Sequence, residues 1–202
     1  VRQDYKRWNR DMCVNSMLVD SRGDIWQVGT DSSVRKVRLE NGRQVVDGSW
    51  SVFLAVSIAE SQDGTIWVGT ASKFLYYMRP GETGFTQLKV FDGFTFIPGL
   101  VPYGEDQLLV CAFARRPLLI DVRTLAMSEL PVLEEDWSRS IARSEFIPTA
   151  VYPDAGGDVW IGTVANGLLC YDKQGRLRPV KGAACTDISS IQDDMHGYLW
   201  IG

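Results

Sequence analysis

Short runs of consecutive apolar residues centred on a tryptophan recur along the chain, each entered from a polar turn containing Gly and most left through Gly-Thr. The cleanest copy is Gly64-Thr65-Ile66-Trp67-Val68-Gly69-Thr70, and Gly157-Asp158-Val159-Trp160-Ile161-Gly162-Thr163 nearly repeats it. Gly23-Asp24-Ile25-Trp26-Gln27-Val28-Gly29-Thr30 carries one extra residue, and Gly197-Tyr198-Leu199-Trp200-Ile201-Gly202 stops at the last position. The tryptophans stand at 26, 67, 160 and 200, giving steps of 41, 93 and 40. The long step holds two periods, because Gln107-Leu108-Leu109-Val110-Cys111 fills the vacant slot with Leu109 in place of Trp. A period near forty with about four short strands per repeat predicts an all-β chain folded as β-propeller blades.

The pattern inside each repeat supports four strands. A first strand with spaced apolar positions runs over 14–20, 52–59, 94–101, 146–152 and 188–193. A tight turn follows, with Gly23 or Gly64 supplying the positive φ that a hairpin demands. The tryptophan strand is apolar at consecutive positions, as expected where neighbouring sheets cover both faces. The Gly after it leaves room for a closely approaching backbone. Third strands fall at 34–37, 74–77, 117–121 and 167–172, and polar outermost strands at 86–90 and 176–180. The chain divides into blades at 14–50, 51–92, 93–130 and 146–182, an incomplete blade at 186–202, and an insertion at 131–145, all within one domain spanning 1–202. Trp26, Trp67, Trp160 and Trp200 are expected in the core between blades, where truncating one to Ala costs about 3–5 kcal/mol.

Composition changes little in this picture. The 202 residues are 45% hydrophobic and 23% charged, with no low-complexity run, which suits one folded domain. No apolar stretch reaches the roughly 20 residues that span a bilayer, so no membrane contact is expected of this segment. A net charge of -4 argues against a phosphate-tracking surface, so nucleic acid is not expected as a partner. Cys13, Cys111, Cys170 and Cys185 include no C-x-x-C pair and no His at ligand spacing, so neither a metal site nor a cofactor is expected. Cys111 and Cys170 read as small buried hydrophobes, and Cys13 and Cys185 could pair only if the first and last blades adjoin. His196, the only histidine, reads as a turn residue in Asp193-Asp194-Met195-His196-Gly197.

The phrase built from Asp, a Gly turn, aliphatic-Trp-aliphatic and Gly-Thr, continued by Asn166-Gly167-Leu168-Leu169-Cys170-Tyr171-Asp172, resembles the two-component regulator propeller repeat. Residues 154–172 are close to the full motif, 20–30 and 63–70 match its first half, and 188–202 match up to the last residue; the slot at 103–121 lacks both Trp and Gly-Thr. The resemblance implies the extracytoplasmic sensor region of a hybrid two-component system. Such a region lies in the periplasm, binds a small molecule or oligosaccharide (often a glycan breakdown product), and signals through a membrane helix to a histidine kinase. Propellers of that family have about seven blades, so an open arc is expected here. The remaining blades of the same receptor, or a second copy in a homodimer, would complete it; alternatively, residues 2–8 supply an outer strand to the last blade.

Function then falls on what breaks the repeat. Ligands of propellers meet the loops that join strands two and three and that link one blade to the next. On those loops Arg115 and Arg116 could fork onto a carboxylate or sugar acid, with Lys73 on the equivalent loop of the preceding blade; a solvated loop pair is the alternative. In the insertion, Trp137 occupies no repeat slot, and Asp136, Arg139 and Arg143 surround it as in sugar-stacking sites; a short helix capping the rim with Trp137 is the competing reading. No catalytic residue is expected, because Glu134, Glu135 and Asp136 are neighbours on one loop rather than an opposed carboxylate pair. A non-catalytic sensor therefore leads over a propeller lyase or glycosidase and over a protein-interaction scaffold.

Overall fold

A computed structural model describes residues 13–141, 145–182, 186–194 and 196–202. Arg143, Cys185, Met195 and the strand proposed for residues 2–8 lie outside them. The described residues form four antiparallel four-stranded sheets and one two-stranded sheet, each in simple sequential order. The first holds β1 (Val14–Val19), β2 (Ile25–Gly29), β3 (Ser33–Glu40) and β4 (Arg43–Ser51); the second holds β5 (Ala55–Glu60), β6 (Ile66–Thr70), β7 (Phe74–Met78) and β8 (Thr86–Lys89). The third holds β9 (Gly99–Tyr103), β10 (Gln107–Cys111), β11 (Leu118–Asp121) and β12 (Met127–Glu129). Helix α1 (Glu134–Ser140) leads to the fourth, with β13 (Pro148–Pro153), β14 (Val159–Thr163), β15 (Leu168–Tyr171) and β16 (Leu177–Pro179). Strands β17 (Ile191–Asp193) and β18 (Leu199–Ile201) form the last hairpin. First strands of successive sheets lie against one another, β1 on β5, β5 on β9, β9 on β13 and β13 on β17.

One register runs through the first hairpin of each of the five sheets described. The tryptophan slot pairs with the residue eight positions earlier: Leu18 with Trp26, Ala59 with Trp67, Tyr152 with Trp160 and Gln192 with Trp200. Leu109 pairs with Val101 in the same way, so it occupies the slot that spacing assigned to it. The third sheet differs at its entry. Strand was expected from residue 94, but β9 begins at Gly99, and residues 90–98 form a connection anchored by Ile97 N–H to Thr70 O (3.1 Å) and Phe113 N–H to Phe96 O (2.9 Å).

Three apolar cores fill the spaces between the four large sheets, and they decide the fate of each tryptophan. Trp26 is 2% exposed, stacked on Trp50 at 5.4 Å and met edge-on by Phe85 of the β7–β8 loop. Trp67 is fully buried against Tyr77 and the third sheet. Trp160 belongs to none of these cores and is partly exposed. Trp200 is 69% exposed, outside the core expected for it, because among the described residues no sheet follows to cover it. The outward face of the first sheet is bare in the same sense. Met17 and Val19 are exposed, whereas Ile58, the register equivalent of Met17, is buried beneath the first sheet.

A second regularity ties each tryptophan to the turn before it. The indole N–H donates to the residue six positions earlier: Trp26 to Asp20, Trp67 to Ser61 and Trp160 to Asp154, each at 2.9 Å. Asp20 also accepts the backbone N–H groups of Arg22 and Asp24, so one carboxylate closes the turn and satisfies the buried ring. In the second sheet Asp63 supplies the charge instead, taking the Ser61 hydroxyl. The sheet with Leu109 in the slot carries Tyr103 six positions earlier. Donor and acceptor are lost together.

The glycine following the tryptophan is sterically required. A Cβ on Gly69 would lie 2.6 Å from the carbonyl oxygen of Ile97, a backbone atom of the next blade's entry that cannot swing aside. Gly69→Ala should therefore destabilise by about 1–3 kcal/mol, read as a lower urea midpoint at unchanged slope. A midpoint equal to wild type would show that the entry segment yields freely.

Candidate functional site

The loops that carry the candidate residues share one face because the chain stitches them together there. Val90 and Phe91 N–H groups both donate to the carbonyl of Lys73, and Ala71 N–H donates to Leu54 O. Ala114 N–H donates to Phe146 O, and Val164 N–H to Ile147 O. Thr70 and Thr163, the threonines of the Gly-Thr pairs, close their loops by donating to Phe74 O (2.6 Å) and Gly167 O (2.8 Å). Ala114 adopts φ 53°, but Ser32 and Ala165 do so in equivalent loops, so this is the geometry of the turn rather than a mark of the site.

Between the second and third sheets this face opens into a cleft of about 480 Å³. Arg115 and Arg116 line it from the β10–β11 loop, and Lys89, Phe91 and Asp92 from the end of β8 and the connection after it. Leu118 and Glu129 complete the wall. Lys73 stands behind the cleft, with its ammonium 5.3 Å from the Phe74 ring centroid. Asp92 is held below the ordinary carboxylate range, first by its hydrogen bond and ion pair with Lys89 (2.9 Å) and then by the charges of Lys73 and Arg115. The sequence pointed to the arginines and Lys73 but not to Lys89, Phe91 or Asp92. Their signal was there, in the Lys89-Val90-Phe91-Asp92 run at a blade-to-blade connection, the second kind of loop on this face.

The insertion divides the other candidates from this cleft. Helix α1 packs along β16, and Asp136, 2% exposed, accepts from Arg176 Nε (2.5 Å) and Nη2 (2.9 Å). Arg176, then Arg139 at 3.7 Å, holds the Asp136 carboxyl below its usual range. These charges clasp the helix to the fourth sheet. Trp137 packs against Phe146 at 5.3 Å, on the core between the third and fourth sheets, with the Arg116 guanidinium 5.1 Å from its ring centroid. Of the two readings open for this stretch, the structure forms the short helix at the rim. Arg116 belongs to both assemblies, since it also pairs with Glu134 at the start of α1.

Other candidates for chemistry are engaged in the fold. Cys111 is fully buried, which pushes its thiol up to about 12, and Cys170 is raised by burial and then by Asp158; both are poor nucleophiles. His196 is exposed in the last hairpin turn, with its N–H on Asp194. Among the described residues no group of three or more His, Cys, Asp or Glu side chains is placed to hold a metal ion, and no helix is long and apolar enough to cross a membrane.

No protein-family model and no curated relative matches the sequence. Solved structures do match in fold. The extracellular domain assigned to a hybrid two-component system of B. thetaiotaomicron superposes with a TM-score of 0.71 at 17% identity, over 96% of this chain and 26% of that one. Virginiamycin B lyase from Staphylococcus aureus gives 0.73 at 14% identity, over 96% and 64%. The β-propeller domain of Cps50 from Myceliophteria thermophila gives 0.70 at 17% identity, over 96% and 63%. The fold is a β-propeller. The chain spans about a quarter of the sensor domain's length and just under two thirds of the lyase's, and the shared fold implies neither function.

Proposed function

We propose that this chain is part of a non-catalytic, extracytoplasmic sensor propeller of a two-component receptor, and that its cleft between the second and third sheets receives an acidic carbohydrate fragment. The observation that carries this reading is the convergence of Arg115, Arg116 and Lys89 on one cleft, with the Phe91 ring and Leu118 beside them. Two adjacent guanidinium forks suit a carboxylate. A volume of about 480 Å³ lies in the range of small-molecule sites. Trp137 and Asp136 are turned into the insertion's own packing instead of forming a stacking platform, and Trp137 with Glu134 holds Arg116 at the rim. In this reading another blade of the same receptor covers the bare apolar face around Met17.

The experiment is a thermal-shift and calorimetry series with glucuronate, galacturonate oligomers and neutral oligosaccharides. Acidic sugars should stabilise the protein. Arg115→Ala combined with Arg116→Ala should weaken binding about 10- to 100-fold, the scale of charge-assisted hydrogen bonds lost from one site. Indifference of the melting temperature to every acidic sugar would sink the proposal. Unsaturated or hydrolysed products in the same incubations would favour the lyase-like alternative, which the superposition on virginiamycin B lyase brings into view.

A further inference from the structure

We infer that Glu134 is a resident competitor for the ligand's carboxylate, so that an acid entering the cleft is reported at helix α1; this rests on the cleft being the ligand site. Arg116 stands at the junction. It lines the cleft, pairs through Nη2 with Glu134, and lies over the ring of Trp137. Glu134 therefore offers Arg116 the same group that a sugar acid would bring.

The balance between the two carboxylates favours exchange. The Glu134 side chain is 73% exposed, and an ion pair so open to water shifts an equilibrium by no more than about fivefold. A ligand carboxylate reaches Arg115 and Arg116 together, with Lys89 across the cleft, and a two-pronged contact to paired guanidinium groups outweighs a single solvated one. Glu134 is displaced, while the face of Arg116 keeps its packing on Trp137.

The consequence is local because α1 is held at two separate places. Arg116 tethers its N-terminal end through Glu134, whereas Asp136 with Arg176, and the Ser140 hydroxyl on Leu177 O (3.4 Å), fix the residues that follow to the fourth sheet. Loss of the first tether loosens the turn at Leu133, Glu134 and Glu135 and leaves the clasp in place. The helix joins the third sheet to the fourth, so occupancy of one blade junction is passed to the next. A neutral sugar has no group to exchange with Glu134 and produces no such change.

The test uses glucuronate, with glucose as control, on the whole chain and on Glu134→Gln. Calorimetry should show glucuronate binding Glu134→Gln about two- to fivefold more tightly than wild type. Amide exchange at Trp137, whose N–H bond to Leu133 O closes the first helical turn, should quicken when glucuronate is added to wild type, and should already be fast in free Glu134→Gln. Equal affinities with unchanged exchange would overturn the competition while leaving the cleft as the binding site. Absence of glucuronate binding to either protein would remove the site itself. Loosening by glucose to the same extent would also overturn the inference, since glucose cannot replace a carboxylate.

Discussion

Trp67→Ala is expected to destabilise the protein by about 3–5 kcal/mol, and Trp200→Ala by less than about 0.5 kcal/mol. The two residues occupy the same slot of the same repeat, paired in the same register with the residue eight positions earlier. Trp67 is fully buried, with its ring 5.2 Å from Tyr77 and its indole N–H on Ser61. Its removal leaves a cavity between two sheets that cannot close, because Leu75, Leu108 and Ile120 around it are themselves fixed by strand pairing. Against a total stability of about 5–15 kcal/mol that loss is a large share. Trp200 is 69% exposed, so its removal opens no cavity. Urea titrations of the two variants beside wild type decide the matter; equal midpoint shifts would mean that Trp200 is covered in solution, by another blade or a second copy.

The second large effect is expected at Asp20. Its carboxylate accepts three bonds, from the Trp26 indole and the backbone N–H groups of Arg22 and Asp24. Asp20→Ala strands the indole N–H in a buried setting and opens the turn, at a cost on the order of 2–3 kcal/mol. Burial alone would raise the Asp20 pKa, but the Trp26 indole and then the two turn amides outweigh it, and the net shift is downward. A carboxylate whose pKa falls on folding stabilises the folded state above its unfolded value near 3.9. That contribution is lost as pH drops through the unfolded value towards the folded one. Asp63, Asp154 and Asp194 are lowered as well, so stability should be flat near neutrality and fall below about pH 5. Asp20→Asn, which keeps one acceptor oxygen but cannot titrate, should flatten that acid slope. A slope unchanged from wild type would show that the turn carboxylate is not ionisation-linked to folding.

Much of this architecture is legible in the sequence because a propeller repeats its local rules. Leu109 fits its slot without a tryptophan because register depends on spacing and backbone pairing, not on the side chain. The clash waiting at Gly69 follows from the same repetition. The cleft was half legible. Arg115 and Arg116 stand out as departures from the repeat, while Lys89 and Asp92 look like an ordinary strand end until the chain folds back over Lys73. The insertion was ambiguous for a physical reason. An aromatic among charges reads alike whether it stacks on a ligand or on Phe146, and only the clasp of Arg176 on Asp136, forty residues away, fixes the helix on the rim.

The sequence by itself determined the strand period, the hairpin register and the turn-to-tryptophan spacing, since each depends on residues within one repeat. The tertiary structure alone decided which tryptophans are buried, how Asp136 was withdrawn from the cleft, and why Arg116 sits between two carboxylate claims. Those outcomes depend on which sheet lies against which. Burial and ion pairing between repeats are set by the neighbour across the interface, and a repeating pattern is the same whether or not that neighbour is there.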